Sequence, residues 1–193
     1  MNVLAHLHLA SLSGSSLLGN VMADFVRGDP YQQYPKSVAE GIMLHRRIDA
    51  LIDHLPEVKT AKCLFATVHQ RVAPITLDIV WDHFLAKYWH EFVDFICLSA
   101  FNQLCQTIIS PELDKAPAEF GRFMGYLWRD SWLLNYADLA FVQRVLVGMS
   151  KQRPRLAILS ETINDVKTNY QQLEHLFRVF YPRLCKKALY AEL

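Results

Sequence analysis

The sequence predicts an all-α protein whose helices form one compact multi-helix domain over residues 1–193. Hydrophobic residues make up 52% of the 193 positions, which is enough to build a large core. Only 7 glycines and 8 prolines interrupt the chain, so long helices fit between them. Apolar residues recur at steps of three and four, the spacing of one helix face, along most of the chain. Residues 3–9 alternate like a β-strand, but this run is too short to need a sheet.

The predicted helices follow in order from the apolar spacing and from the residues that break it. The first helix runs over residues 36–54 and ends before Pro56. A second helix covers residues 57–71 and ends before Pro74. A long third helix begins at Pro74, and the pattern allows an interruption within it. The third and later helices are predicted at Pro74 to about Phe95, 96–109, 117–129, 136–149 and 155–180, with a short one after Pro182.

Charge and cysteine content argue against several classes of protein. The formal net charge is only +1, so no global field marks a nucleic-acid binder. None of the 4 cysteines forms a CxxC pair, and without a signal peptide they are predicted to be reduced thiols of a cytoplasmic protein. Residues 3–23 lack Asp, Glu, Lys and Arg, but their histidines, serines and asparagine are too polar for a membrane span of about 20 apolar residues.

The stretch TLDIVWDHF, residues 76–84, places three groups that bind metals among apolar neighbours. Asp78 and Asp82 are one helical turn apart and share a face, whereas His83 is offset from both. Burying a charge is costly unless it is paired or bound to an ion, so these groups are candidate metal ligands. The alternative stays open: Asp78 caps a helix, Asp82 pairs with an arginine, and His83 is hydrogen-bonded in the core.

The stretch HRRID, residues 45–49, repeats this one-turn spacing. His45 and Asp49 share a helix face, which suits either a bound cation or a simple hydrogen bond. Arg46 and Arg47 point elsewhere on the helix and are candidates for binding phosphate or an acidic partner. A solvated helix face often carries the same residues, so this pattern alone does not establish a site.

A third group combines Asp24, in NVMADFVRG, with the histidines of LAHLHLA. His6 and His8 point to one side if their segment is extended. The simpler interpretation is a salt bridge for Asp24 near a helix end, next to Arg27, and ordinary hydrogen bonding for each histidine.

These three groups together indicate a metal centre more strongly than each does alone. A mixed set of imidazoles and carboxylates suits Mn, Fe, Zn or Mg better than a thiolate-binding metal. A helical bundle can hold such ligands on facing helices, and a metal-activated water can then attack phosphorus. The candidates, all within the first 83 residues, are His6, His8, Asp24, His45, Asp49, Asp78, Asp82 and His83.

Five stretches of the chain resemble one known family of enzymes: NVLAHLHLA, GNVMADFVRG, HRRID, RVAPITLDIVWDHFL and GMSKQRPRL. They are similar to the acyl carrier protein phosphodiesterases, which remove 4'-phosphopantetheine from holo acyl carrier protein. The resemblance implies a helical fold like that of the HD phosphohydrolases and a divalent metal, typically Mn²⁺, with Fe²⁺, Mg²⁺ or Co²⁺ as alternatives. The chain departs from the wider superfamily because it has no His-Asp dipeptide, and its nearest match is the reversed pair Asp82-His83.

The same resemblance implies roles for individual residues. Catalytic metal ligands are expected in four positions, and one of the two carboxylates in TLDIVWDHF is expected to orient the attacking water. Further metal ligands are expected nearby. Other side chains are expected to bind the phosphodiester oxygens through charge-assisted hydrogen bonds. The four principal ligands are Asp24, His45, Asp78 and Asp82, the next ligands are His83 and Asp49, and the substrate-binding residues are His6, His8, Arg27, Arg46 and Arg47.

A docking surface for the carrier protein is the last expectation from sequence. Acyl carrier proteins are strongly acidic, so docking should use a basic patch and weaken with salt. The clearest basic cluster is Lys151, Arg153 and Arg155. A second cluster near the C-terminus, residues 183–187, has the simpler interpretation of a solvated surface. Two other functions stay open: a hydrolase of a nucleotide or small phosphoester, and a non-catalytic helical module that binds acidic carrier proteins.

Overall fold

A computed structural model describes residues 1–190 and 192–193, and within these residues the chain forms twelve α-helices and no β-strand. The predicted all-α class is confirmed, whereas the likeness to the HD phosphohydrolases stays a prediction. The α-helices are α1 (Val3–Leu12), α2 (Leu17–Met22), α3 (Lys36–His54), α4 (Pro56–Cys63), α5 (Ala73–Lys87), α6 (Trp89–Phe92), α7 (Leu98–Ile109), α8 (Ala118–Arg129), α9 (Trp132–Asn135), α10 (Leu139–Gln152), α11 (Ile163–Thr168) and α12 (Tyr170–Leu189). Short 3-10 helices lie at Ala23–Phe25, Pro30–Gln32, Thr67–His69, Ser110–Lys115 and Pro154–Glu161.

Helix α3 has the bounds that the sequence predicts. Its isoleucines Ile42, Ile48 and Ile52 are buried and recur on one face of the helix. The helix ends at His54 because Leu55 is extended ahead of Pro56, which occupies the first turn of α4. This regular helix carries two of the candidate metal ligands one turn apart.

Helix α1 corrects the strand-like interpretation of residues 3–9. All residues from Val3 to Ala10 are buried, so the segment is apolar on every side and its alternation does not mark a sheet face. Helix α1 packs against α2, α3, α5 and α12 and is therefore central to the fold. Two residues apart on a helix, the side chains of His6 and His8 point in nearly opposite directions.

Three other expectations from sequence differ from the structure. The helix predicted over residues 57–71 ends at Cys63, and a 3-10 helix follows at Thr67–His69. The predicted helix over residues 155–180 is divided into a 3-10 helix, α11 and the start of α12. Helix α12 continues through Pro182 instead of restarting after it. Burial of Tyr181 and Leu184 on either side offsets the loss of about 3 kcal/mol that a proline causes within a helix.

One continuous cluster of buried hydrophobic residues extends from Met1 to Ala188. Helices α5 and α12 contribute many of its large side chains, and Trp81 and Phe177 stack there with ring centroids 6.0 Å apart. In the part of the chain that the structure describes, no helix is both long enough and apolar enough to cross a membrane.

Helices α2 and α3 cross at two glycines that let their backbones approach closely. A Cβ atom on Gly19 would lie 2.3 Å from the carbonyl oxygen of Val38, and one on Gly41 would lie 2.9 Å from that of Ser16. The Ser16 hydroxyl also caps α2 by accepting a hydrogen bond from the Gly19 N–H at 3.0 Å. This crossing brings the 3-10 helix that carries Asp24 against the middle of α3.

Replacing Gly19 with alanine is expected to lower the free energy of unfolding by about 1–3 kcal/mol, because α2 must shift away from α3. Urea denaturation of both proteins measures the difference. The matched control is Gly125→Ala in α8, where a Cβ meets no atom within 4 Å and helix propensity favours alanine. Equal stability of wild-type protein and Gly19→Ala would show that the close crossing does not constrain the fold.

Candidate metal centre

Three side chains from two helices form a compact group of metal-binding type. His6 lies on α1, and His45 and Asp49 lie one turn apart on α3. One ligand atom from each residue lies within 4.8 Å of the others. The Nε2 atom of His6 is 3.1 Å from Oδ1 of Asp49, and Nε2 of His45 is 3.1 Å from Oδ2 of the same carboxylate. Asp49 therefore contacts both histidines, one with each oxygen.

The two imidazoles stack, with ring centroids 3.8 Å apart and an interplanar angle of 17°. Burial lowers the pKa of His6 to about 4, since the nearby positive charge of His45 adds to the desolvation and outweighs the hydrogen bond to Asp49. Burial also lowers the pKa of His45, but the negatively charged carboxylates of Asp24 and Asp49, which lie close to its Nε2, raise it to about 9. His6 is thus neutral, the form in which histidine binds metals.

Asp24, which lies on the 3-10 helix Ala23–Phe25, adds a fourth group. Its Oδ1 lies 3.4 Å from Nε2 of His45, and its side chain is 77% exposed to solvent. The close contact with the His45 imidazole holds the pKa of Asp24 below its ordinary value. Desolvation would raise the pKa of Asp49, but the contact with His45 and the hydrogen bond with His6 outweigh it and lower this pKa. Both carboxylates are therefore ionised at neutral pH.

The unsatisfied hydrogen bonding of His45 supports a bound cation. Its Nε2 atom lies near two carboxylates, yet among the described residues neither it nor Nδ1 has a partner with hydrogen-bond geometry. Buried polar atoms without partners are uncommon and indicate a missing ion or water. A cation among His6, His45, Asp24 and Asp49 would be bound by nitrogen and oxygen, which suits divalent transition metals.

Asp78 is linked to this group by Met1, which contacts both Asp78 and Asp49. The ammonium group of Met1 is 3.1 Å from Oδ1 of Asp49 and 3.0 Å from Oδ1 of Asp78. Positive charge is thus held between the two carboxylates. Burial raises the pKa of Asp78, although the ammonium opposes this effect.

Asp82 contacts backbone groups instead of this cluster. Its Oδ2 accepts a hydrogen bond from the N–H of Leu4 at 2.7 Å, and its Oδ1 accepts one from Ala5 at 3.1 Å. Burial raises its pKa to about 7, although these two hydrogen bonds oppose the rise. The contacts are those of a residue that caps the first turn of α1. The predicted role of Asp82 as a ligand stays a prediction.

His83 and His8 also lie outside the cluster. His83 makes hydrogen bonds with both ring nitrogens, at 2.8 Å to the carbonyl oxygen of Tyr136 and 2.7 Å to the hydroxyl of Tyr170. His8 bonds through Nδ1 to the hydroxyl of Tyr181 at 2.7 Å. The expectation that His6 and His8 share one side is wrong, because the segment is helical and only His6 faces α3.

The basic residues predicted to bind substrate occupy different settings. Arg46 donates hydrogen bonds to the carbonyl oxygens of Val26 at 2.8 Å and Gly28 at 3.0 Å, so its guanidinium group closes the loop after Asp24. The Nε atom of Arg47 donates a hydrogen bond to the carbonyl oxygen of Leu193 at 3.2 Å. Arg27 is exposed, and among the described residues its guanidinium group makes no hydrogen bond or ion pair, although its carbonyl oxygen accepts a hydrogen bond from Gln33 at 2.8 Å. The predicted docking residues, all exposed, are Lys151, Arg153 and Arg155.

Two residues that the sequence analysis did not consider line a pocket next to the cluster. Asp53 follows Asp49 by one turn on α3, and Lys62 lies on α4. The pocket also includes Asp49 and Asp78. The one-turn spacing of Asp49 and Asp53 could have indicated the acidic residue. Lys62 carried no such signal, because only the packing of α4 against α3 and α5 brings it there.

Comparison with known proteins gives a consistent result. Residues 1–184 match the family model described as acyl carrier protein phosphodiesterase. The chain is 51% identical to the acyl carrier protein phosphodiesterase of Serratia proteamaculans over 188 residues, which are 97% of each chain. It is 48% identical to the protein of the same name from Yersinia pestis over 193 residues, the full length of both. No solved structure matches the chain.

Proposed function

The chain belongs to the acyl carrier protein phosphodiesterase family, and we propose that it hydrolyses holo acyl carrier protein with a divalent cation held by His6, His45, Asp49 and Asp24. The resemblance of its sequence motifs to this family is confirmed. The products are apo acyl carrier protein, with a free serine hydroxyl, and 4'-phosphopantetheine. The observation that carries the metal in this proposal is the buried Nε2 of His45, which lies between two carboxylates without a hydrogen-bond partner among the described residues.

The family resemblance implies Mn²⁺ as the divalent ion, and the donor set is compatible with it. Two imidazoles and two carboxylates combine nitrogen and oxygen donors without a thiolate, which also suits Fe²⁺, Co²⁺ and Mg²⁺ to differing degrees. A divalent cation bound there would supply Lewis-acid chemistry, since it neutralises phosphate charge and makes water acidic enough to act as a nucleophile. Asp49 orients both imidazoles because it contacts each with a different oxygen.

Asp78 is the residue proposed to orient the attacking water. Asp78 is half-buried, and desolvation raises its pKa although the Met1 ammonium opposes the rise, which makes the carboxylate a better proton acceptor than an ordinary aspartate. Asp82 is less suited to this role because both of its oxygens accept backbone hydrogen bonds. Arg27, which is exposed and follows Asp24 by three residues, is proposed to donate to the phosphodiester oxygens.

Intact mass spectrometry of holo acyl carrier protein tests this function. The carrier protein is incubated with the enzyme and Mn²⁺, and a parallel sample contains a chelator in excess. We expect the mass to fall by that of one phosphopantetheine group, and chelation to abolish the change. An unchanged carrier protein, with a folded and metal-loaded enzyme, would contradict the proposed reaction. Equal loss in the chelated sample would contradict the metal dependence alone.

The docking surface is proposed to include Lys151, Arg153 and Arg155. Replacing all three with glutamine is expected to raise KM for holo acyl carrier protein roughly tenfold and to weaken its dependence on salt, because complementary charge speeds association. Steady-state kinetics at two ionic strengths measure both effects. The matched control replaces Arg183, Lys186 and Lys187, which carry the same charge near the C-terminus. An equal rise in KM for both variants would argue against a specific docking surface.

A further inference from the structure

A pocket of about 120 Å³ opens beside the metal centre, between α3, α4 and α5. Pockets that enclose a whole small ligand measure roughly 300–1,000 Å³, so this one has room for only part of a substrate. Its walls combine acidic, basic and apolar side chains. The lining residues are Met1, Asp49, Ile52, Asp53, Val58, Lys62, Pro74, Leu77, Asp78 and Trp81.

The charged groups of the pocket belong to two separate sets. Asp49 and Asp78 both contact the ammonium group of Met1, whereas Lys62 donates a hydrogen bond to Asp53 at 2.9 Å. The apolar side chains of Ile52, Val58 and Leu77 line the same pocket. The ammonium groups of Met1 and Lys62, together with a cation bound at the neighbouring centre, would offset the three carboxylates Asp49, Asp53 and Asp78. A ligand that fits the pocket in that state has an anionic end and a compact hydrocarbon portion next to it.

The contact between Lys62 and Asp53 leaves the ammonium group free to exchange partners. The Asp53 side chain is 63% exposed and that of Lys62 is 29% exposed, so the pair is close to solvent. Exposed ion pairs contribute only about 0–1 kcal/mol, and a doubly charged phosphate competes well against a single carboxylate. Lys62 is therefore positioned to bind an anion without a large cost from breaking its present contact.

Trp81 lines the same pocket with a fully buried indole ring. Its Nε1 has no hydrogen-bond acceptor among the described residues. The indole N–H is only a donor, and when buried it usually has a partner, so an unsatisfied donor lies within a residue of the pocket wall.

We propose that this pocket binds the phosphate of 4'-phosphopantetheine and the gem-dimethyl carbon chain next to it, with Lys62 as the residue that holds the phosphate. The inference rests on the proposed function, because it assigns one end of that substrate to a place beside the metal centre. Lys62 is a binding residue whose ammonium group contacts a phosphate oxygen. Ile52, Val58 and Leu77 contact the methyl groups.

Calorimetric binding of free 4'-phosphopantetheine to the intact protein tests this inference without requiring turnover. Lys62→Met removes the charge but retains the length of the side chain, and it is expected to weaken binding about tenfold to a hundredfold. Lys62→Arg retains the charge and should bind nearly as well as wild-type protein. The matched control is Lys115→Met, because Lys115 also bonds to one carboxylate, Glu112, at 2.9 Å.

The outcomes separate this inference from the proposed function. A loss of affinity for 4'-phosphopantetheine in Lys62→Met, but not in Lys115→Met, supports the proposed binding pocket. The KM for holo acyl carrier protein should rise in the same variant. Equal affinity in wild-type protein, Lys62→Met and Lys115→Met would overturn the proposal that this pocket binds the phosphate. A wild-type protein that does not bind 4'-phosphopantetheine would also overturn it. Binding that depends on Lys62 without hydrolysis by wild-type protein would support the pocket and overturn only the proposed reaction.

Discussion

Asp49→Asn is expected to lose the bound metal and to lower the rate of carrier-protein hydrolysis by at least about a thousandfold. Asp49 contacts both His6 and His45, so its replacement removes negative charge and misplaces two imidazoles together. Asparagine keeps the size of the side chain, so the fold should persist. Elemental analysis of the purified protein measures the metal, and product formation measures the rate.

The control for this variant is Glu40→Gln on the same helix. Glu40 is exposed and lies 3.8 Å from Lys36, so its neutralisation changes the charge of α3 without touching the metal centre. Metal content and rate should match those of wild-type protein. Full metal content in Asp49→Asn would show that the cation lies elsewhere in the molecule.

Asp82→Ala is expected to lower the free energy of unfolding by roughly 2–5 kcal/mol while the protein keeps its metal. Two backbone N–H groups at the start of α1 would lose their buried acceptor, and each unsatisfied group costs about 1–3 kcal/mol. Urea denaturation measures the stability, and elemental analysis measures the metal. Asp82→Asn should lose less stability because its amide oxygen still accepts one of these hydrogen bonds.

The opposite result for Asp82 would change its assignment. Loss of metal with unchanged stability in Asp82→Ala would support the ligand role that the family resemblance implies. The contacts with Leu4 and Ala5 would then be secondary to metal binding.

The predictions from sequence that agree with the structure depend on local patterns. The bounds of α3 follow from apolar spacing and from Pro56, and the one-turn spacing of His45 and Asp49 places both side chains in the cluster. The all-α class follows from the same spacing repeated along the chain. Each of these inferences needs only a single helix and its ends.

The features that differ from expectation depend on contacts between distant segments. A short apolar run does not distinguish a strand from a buried helix, so the separate environments of His6 and His8 could not be predicted. Asp82 caps α1 from a helix 78 residues away in sequence from Leu4. The position of Lys62 likewise depends on how α4 packs. Such placements come from tertiary structure, which periodicity along one element does not encode.

Anomalous diffraction from a crystal of the protein grown with Mn²⁺ would locate the cation directly. We expect a peak at coordination distance from His45 and Asp49, with His6 and Asp24 next to it. A peak at Asp82 and His83, or no peak in crystals of protein that hydrolyses holo acyl carrier protein, would contradict the proposed metal centre.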